Sequence, residues 1–402
     1  MDNGLGLPEM VITGMQHGLA MFGATVLVPL LTGFPVSIAL FTSGVGTLIF
    51  HYMTDQKVPA YLGSSFAFIA PLSLVLADYG GVSSALGGII FAGVVYLIVG
   101  FLLGKAGSNV LEKIFPPVVT GPVIMIIGLT LAPVAIDNIQ GAGLLGILVG
   151  IITLVTVMLT VLKGKGLLKV LPVITGIAVG YIVSLPLGLV ETGEIVQAGI
   201  VGLPAFEFPT FNLTAITIIA PVAIVTIIEH VGDILAISET IGKDRELIKN
   251  PGIDKTLYGD GLATLFSGLV GGVPNTTYGE NVGVLALTGI YKSRVVQIGA
   301  VFAIIASLIP KFEALIMSIP EPVIGGISIL LFGMITAVGI RSLVKAGTNL
   351  KNSRNLIIVS TILVLGLGGA TIEIGAVEIS SMALAAIVGI ILNLVLPGDG
   401  EE

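Results

Sequence analysis

Glu229 and Asp233 stand four residues apart in "IEHVGDILA" (228–236), and Glu280 stands in "GGVPNTTYGENVGVLALTG" (271–289). Both stretches lie between long apolar runs. Side chains four apart sit one above the other on a helix face. Two carboxylates that close repel each other, and holding a proton relieves the pair. Carboxylates around a shared space accept N–H bonds, exchange protons and turn anions away. That chemistry suits a small, neutral, planar ligand rich in N–H donors, with a proton moving beside it. Each such side chain costs at least about 2.5 kcal/mol inside a membrane, so each needs a reason to be there. An internal basic partner for Glu229 is scarce, because nearly all of the 17 Lys and Arg fall in loops.

Further candidates surround these three. Asp260 falls at the expected start of the ninth span, where it could equally be an ordinary helix-start residue. Gln16 and His17 come from the first span, and His17 suits a packed, hydrogen-bonded core position better than a proton carrier. Glu280 can both cap a broken helix and bind, since carboxylates suit helix N-termini. Tyr278 and Phe66 are ordinary packing residues that can also stack on a flat ligand, and Met21 and Phe22 read as core.

The elements that must hold these residues are membrane spans. The chain has 402 residues, of which 55% are hydrophobic and only 10% charged. A soluble domain carries about a quarter charged residues. Uncharged intervals of spanning length recur from residue 10 to residue 398, and a spanning helix needs about 20 apolar residues. The chain is therefore a polytopic α-helical membrane protein. Spans are expected near 11–31, 36–53, 61–77, 82–104, 117–136, 143–162, 170–190, 213–240, 260–272, 280–291, 294–310, 322–340, 355–372 and 380–396. The third, ninth and tenth are short or polar for a span. The acidic start "MDNGLGLPEM" lacks the features of a signal peptide, so the first span is expected to be retained. Sixteen of the 17 basic residues fall in even-numbered loops, Lys311 being the exception, while the odd loops carry acids such as Asp78, Asp137 and Glu191. Positive charge stays cytoplasmic, which places both termini inside the cell membrane. A twelve-span arrangement lacking spans 9 and 10 would keep the same alternation.

The chain also echoes itself. "MQHGLAMFG" (15–23) in span 1 matches "IEHVGDILA" in span 8, and "PAYLGSSFAFIAP" (59–71) opens span 3 much as the Glu280 stretch opens span 10. Interrupted spans at corresponding places in two halves mark the binding site of a secondary transporter. Seven spans per half is odd, so the second half must be inverted. Backbone freed by such breaks is tolerated at membrane depth only where it lines a cavity or is buried in protein.

"ENVGVLALTG" (280–289) resembles the signature of the nucleobase–ascorbate transporter family. "QHGLAMFGATVLVP" (16–29), "PAYLGSSFAFI" (59–69), "EHVGD" (229–233) and "PNTTYGENVGV" (274–284) resemble its bacterial uracil permease branch. The resemblance covers nearly the whole chain. It implies fourteen spans in two inverted seven-span repeats, with short extended strands and half-helices in spans 3 and 10. It divides the chain into a core domain (1–110 and 206–318; spans 1–4 and 8–11) and a gate domain (111–205 and 319–402; spans 5–7 and 12–14). It implies that Glu229 and Glu280 bind the base, with Phe66, Ser65, Gly279 and Tyr278 around it. Glu229, Asp233 and Glu280 would couple protons, and Gln16, His17, Asp260, Asn281 and Phe332 stand as secondary candidates. Close family members are proton symporters and act as dimers. Asp233 and Asp260 look like the xanthine and urate branch, whereas Glu280 is uracil-like; Phe332 stands where the uracil branch carries Tyr. Uracil is the first expectation and xanthine the second.

No GxxxxGK[ST] pattern occurs, so direct ATP drive is not expected. The three histidines are scattered and cysteine is absent, so neither a metal site nor a cofactor is expected, the proton being the coupling ion. An acidic chain predicts no nucleic-acid partner. The rivals are a passive channel, an anion exchanger of the same plan, which Glu280 opposes, and a membrane enzyme, for which no nucleophile–base pair appears.

Overall fold

The break expected near residues 32–37 is the first punctuation of the fold: span 1 runs Leu7–Thr32 and span 2 runs Val36–Met53. The computed structural model describes all residues except 1–5, 107–109, 111–112, 244, 375–376 and 398–402. The expected placement of the chain ends, and the 110/111 domain boundary, touch residues outside that set.

Span 3 is composite: strand β1 (Leu62–Ser64), a tight turn of helix (Phe66–Phe68), then a half-helix (Ile69–Asp78). Span 4 is Gly81–Ala106, span 5 is Pro117–Thr130 continued by Ala132–Gln140, span 6 is Gly143–Lys163 and span 7 is Pro172–Ser184. Span 8 is Leu213–Ile219 continued by Val222–Thr240, and span 9 is Ile253–Val270. Span 10 repeats the composite design, with strand β2 (Asn275–Thr277) and a half-helix (Glu280–Thr288). Span 11 is Ser293–Ser307, span 12 is Glu321–Lys345, span 13 is Ser353–Leu367 and span 14 is Ser381–Val395.

Seven helices among the described residues are long and apolar enough to cross a membrane unaided. The remaining spans are shorter, broken or more polar, and they rely on their neighbours. Two features go beyond the expected list. Helix Pro310–Met317 turns 88° away from span 11. A hairpin of β3 (Ile372–Ile374) and β4 (Val377–Ile379) joins spans 13 and 14.

The packing repeats itself seven spans on. Span 4 lies along span 9, and its counterpart span 11 lies along span 2. Span 6 packs on span 7 as span 13 packs on span 14; span 6 meets span 12 as span 13 meets span 5. Spans 2 and 9, and spans 5 and 12, meet as counterparts. Spans 1, 2, 4, 9 and 11 thus pack among themselves, and spans 5–7 and 12–14 among themselves. Span 8 touches spans 5 and 14, and span 1 touches span 7. Where helices approach most closely the residues are small: a Cβ on Gly93 would lie 2.7 Å from the carbonyl oxygen of Gly261, so spans 4 and 9 meet backbone to backbone.

Candidate functional site

Spans 3 and 10 break so that β1 and β2 cross as an antiparallel pair, Gly63 opposite Thr276. Ser65 N–H donates to Pro274 O at 2.9 Å and Tyr278 N–H to Tyr61 O at 3.2 Å. Hydrogen-bonded and non-bonded pairs alternate along an antiparallel ladder. The backbone groups of Leu62, Asn275 and Thr277 therefore point away from the partner strand, and in a membrane they must find other partners.

Hydroxyls of the flanking spans supply them, in the same pattern twice. Thr47 of span 2 accepts Leu62 N–H at 3.0 Å and its Oγ1 lies 3.3 Å from Leu62 O, which Ser43 Oγ also reaches at 2.6 Å. Thr264 of span 9 accepts Asn275 N–H at 3.2 Å and donates to Asn275 O at 2.7 Å. Thr277 N–H is taken at 3.3 Å by the Asp260 carboxylate. Gly271, at φ 102°, adopts the left-handed conformation that ends span 9 before the strand. Gly63 has no room for a side chain, because a Cβ there would sit 2.5 Å from the Tyr278 ring.

Glu280 occupies the first turn of the span 10 half-helix, where backbone N–H groups are free and the helix dipole favours negative charge. Glu229 of span 8 interacts electrostatically with Glu280 and Asp260, and Asp233 with all three. One oxygen of Asp233 would lie 2.8 Å from a Cβ on Gly279. Asp233 is buried, whereas Glu229, Gly279 and Glu280 keep part of their surface open. The two glutamates thus lie partly open near the mouth of the half-helix, within electrostatic reach of each other.

The other expected residues are distributed around this centre. Phe66, at the start of the span 3 turn, meets Phe332 of span 12 edge to face, with ring centroids 5.9 Å apart. This contact joins the two sets of helices. Ser65 is buried, and its hydroxyl has no partner among the described residues. Tyr278 donates to Ser64 O at 3.1 Å and is 2% exposed, so its ring is committed to the strand crossing. His17 is buried, with Nδ1 3.3 Å from Asn281 Oδ1, and Asn281 Nδ2 donates to Pro59 O at 2.7 Å. These bonds tie spans 1 and 10 to the approach to span 3. Gln16 is half-buried one residue earlier.

Asp260 corrects an expectation. It lies in the middle of span 9, because the helix begins at Ile253. Asp254 in the first turn supplies the helix-start acid, and Lys255 reaches Asp55 at 2.7 Å. The partly exposed polar residues at 254, 255 and 258 made the start of this helix look like loop. Asp260 is wholly buried, with Oδ2 2.8 Å from His230 Nδ1. His230 was passed over in the sequence. It follows Glu229 immediately and so points to a different face of span 8, against Thr277 of β2 at 3.0 Å. Thr264 was missed as well, since a single hydroxyl in a span carries no signal until the strand it serves is known.

Membrane helices broken in pairs, with backbone and acids gathered at the breaks, define a polytopic membrane permease. A family model described as "Permease family" matches residues 8–375. Uracil permease of Bacillus caldolyticus is 44% identical over 402 residues, covering 97% of this chain and 92% of that protein. Uracil permease of Escherichia coli (strain K12) is 42% identical, covering 97% and 91%. The chain belongs to the nucleobase–ascorbate transporter family. Among solved structures, the transmembrane domain of a cyanobacterial bicarbonate transporter, BicA, superposes with a TM-score of 0.63 at 15% identity, covering 96% of each chain. Murine Slc26a9 in the inward-facing state gives 0.67 at 11%, covering 98% of this chain and 68% of the other. At such identities the likeness concerns the fold alone.

Proposed function

We propose that the chain imports a nucleobase, uracil first, together with protons across the cell membrane by alternating access. One observation carries this reading: Glu229 and Glu280, from the first and third spans of the second repeat, come within electrostatic reach of each other near the start of a half-helix. Uracil offers N–H donors for the two carboxylates and carbonyl oxygens for backbone N–H groups near Gly279. The names of the relatives, uracil permeases at 42–44% identity over nearly the whole chain, agree with that chemistry.

Spans 1–4 and 8–11 act as a core that carries the site, and spans 5–7 and 12–14 as a gate against which it moves. The Phe66–Phe332 contact, where the two sets meet, closes beside the bound base. The lysine-rich ends of the spans face the cytoplasm, and the working unit is a homodimer, testable by mass measurement in detergent. Xanthine ranks below uracil. Asp260, which favoured a purine from sequence, lies beneath the strand, paired with His230, and therefore says little about the base.

The test is uptake of labelled uracil into proteoliposomes under an imposed pH gradient. One pH unit is worth about 1.4 kcal/mol per proton, so one coupled proton sustains up to about tenfold accumulation per unit. Glu229→Gln is expected to abolish accumulation. A variant that still concentrated uracil, or a wild type that never exceeded equilibrium, would refute the coupled reading.

A further inference from the structure

Spans 6 and 12 end in positive charge that their own surroundings do not answer. No acid occurs between Asp137 and Glu191 or between Glu321 and Glu373, and these two intervals carry seven basic residues. Two of the seven are engaged. Lys345 pairs with Glu239 of span 8, and Arg354 Nη2 donates to Asn393 O at 2.6 Å and to Asn393 Oδ1 at 2.9 Å. The other five, Lys163, Lys165, Lys169, Arg341 and Lys351, are exposed, and among the described residues none of them has an ion-pair partner. The core's loops on the same face differ. Residues 239–255 hold four acids and four bases, and Asp55 lies 2.7 Å from Lys255 and 3.9 Å from Lys57. Insertion with positive charge inside asks for basic residues in both sets of loops; only in the core are they cancelled.

The packing gathers these charges into one patch. A Cβ on Gly146 would lie 3.2 Å from Pro322, and one on Gly326 would lie 2.5 Å from Gly150 O. Residues of the two spans advance together, so spans 6 and 12 run in the same direction and their basic ends emerge side by side. Each free charge also has an exposed apolar neighbour in the chain. Leu162 (76% exposed) precedes Lys163, Leu168 (55% exposed) precedes Lys169, Ile340 precedes Arg341 and Leu350 precedes Lys351. Bare leucines among lysines suit the edge of a bilayer, where apolar bodies enter the acyl region and charged tips reach the phosphates. They suit a purely aqueous surface poorly.

We propose that the basic ends of spans 6 and 12 form a binding surface for the headgroups of anionic phospholipids, and that this surface anchors the gate in the bilayer. The phosphates supply the negative charge that the chain leaves out between Asp137 and Glu191 and between Glu321 and Glu373. The balanced loops of the core gain little from the same lipids, so the core stays free to move while the gate is held. The inference rests on the division into core and gate proposed above.

The probe is phosphatidylglycerol added to the full chain in neutral detergent, with binding read as a rise in melting temperature and phosphatidylcholine as the uncharged reference. Lys163→Gln/Lys165→Gln/Lys169→Gln should lower the apparent phosphatidylglycerol affinity about ten- to a hundredfold, since one lysine near an anionic surface is worth about fivefold. Uracil binding should stay at the wild-type level. Wild-type uracil uptake should be faster in vesicles of phosphatidylcholine and phosphatidylglycerol than in phosphatidylcholine alone, and the triple variant should lose that difference. An unchanged lipid affinity in the triple variant overturns the proposal, as does an equal loss in Lys57→Gln/Lys255→Gln on the core. Equal stabilisation by inorganic phosphate would make the patch a site for free anions instead. Asp399→Asn/Glu401→Gln/Glu402→Gln should leave the lysine effect intact; its disappearance would show that the acidic chain end, and not lipid, covers the patch. A wild type that binds phosphatidylglycerol yet takes up uracil in neither kind of vesicle overturns the transport reading, so the two failures are distinct.

Discussion

Replacing Thr264 with valine keeps the shape of the side chain and deletes one hydroxyl. That hydroxyl serves both outward groups of Asn275, the N–H at 3.2 Å and the C=O at 2.7 Å. Asn275 is 1% exposed, so water cannot take over. A buried polar group left without a partner costs about 1–3 kcal/mol, which gives about 2–6 kcal/mol for the pair. The counterpart change, Thr47→Val, is milder by construction. Leu62 O keeps Ser43 at 2.6 Å, and Leu62 N–H alone is orphaned, a loss of about 1–3 kcal/mol. Thr264→Val should therefore destabilise about twice as much as Thr47→Val. It should also weaken uracil binding by at least about tenfold, or 1.4 kcal/mol, because Asn275 leads directly into Gly279 and Glu280. The chain has no tryptophan, so unfolding is best followed by far-UV circular dichroism, and binding by titration calorimetry. Equal melting points for the two variants, or an unchanged affinity in Thr264→Val, would show that the hydroxyls do not hold the strands as described.

Two further outcomes are expected. Gly63→Ala forces a Cβ to within 2.5 Å of the Tyr278 ring; overpacking of this kind costs about 1–3 kcal/mol, and uracil affinity should fall in a calorimetric titration even where the protein remains monodisperse. At the surface, the Lys255 ammonium beside Asp55, with Lys57 further off, holds the Asp55 carboxyl below the usual carboxylate range. The contact is complete at neutral pH and is lost as pH falls through that lowered value. The small gap in melting temperature between wild type and Asp55→Asn should therefore close in acid, and it should shrink with salt at neutral pH.

The spans were legible because lipid imposes length and apolarity, and the lysines marked one face. The composite spans 3 and 10 were legible for a related reason: "YLGSSFAF" and "VPNTTYGEN" hold too many small and polar residues for plain helix. Asp260 was misplaced because burial by protein, unlike burial by lipid, leaves no mark in hydropathy; the first turns of span 9 mix surface charge at Lys255 with buried Thr256 and Leu257. His230 escaped notice for the complementary reason. Its partner lies 30 residues away on another span, and only folding brings the two together. The turned helix Pro310–Met317 follows from Pro310, which cannot continue a helix from span 11. The hairpin at 372–379 was hidden in a loop, although "TIEIGAVEIS" alternates as strands do.

The crossing of β1 and β2 also governs how the chain can be made. Leu62 pairs with Thr277, 215 residues later. At about 5–20 residues per second, the ribosome needs roughly 10–40 seconds to deliver the second strand after the first has entered the bilayer. Throughout that delay a raw strand edge stands in the membrane with half of its mates still unsynthesised. The nascent first repeat therefore needs shelter, from an insertase or from its own provisional packing, until its twin arrives.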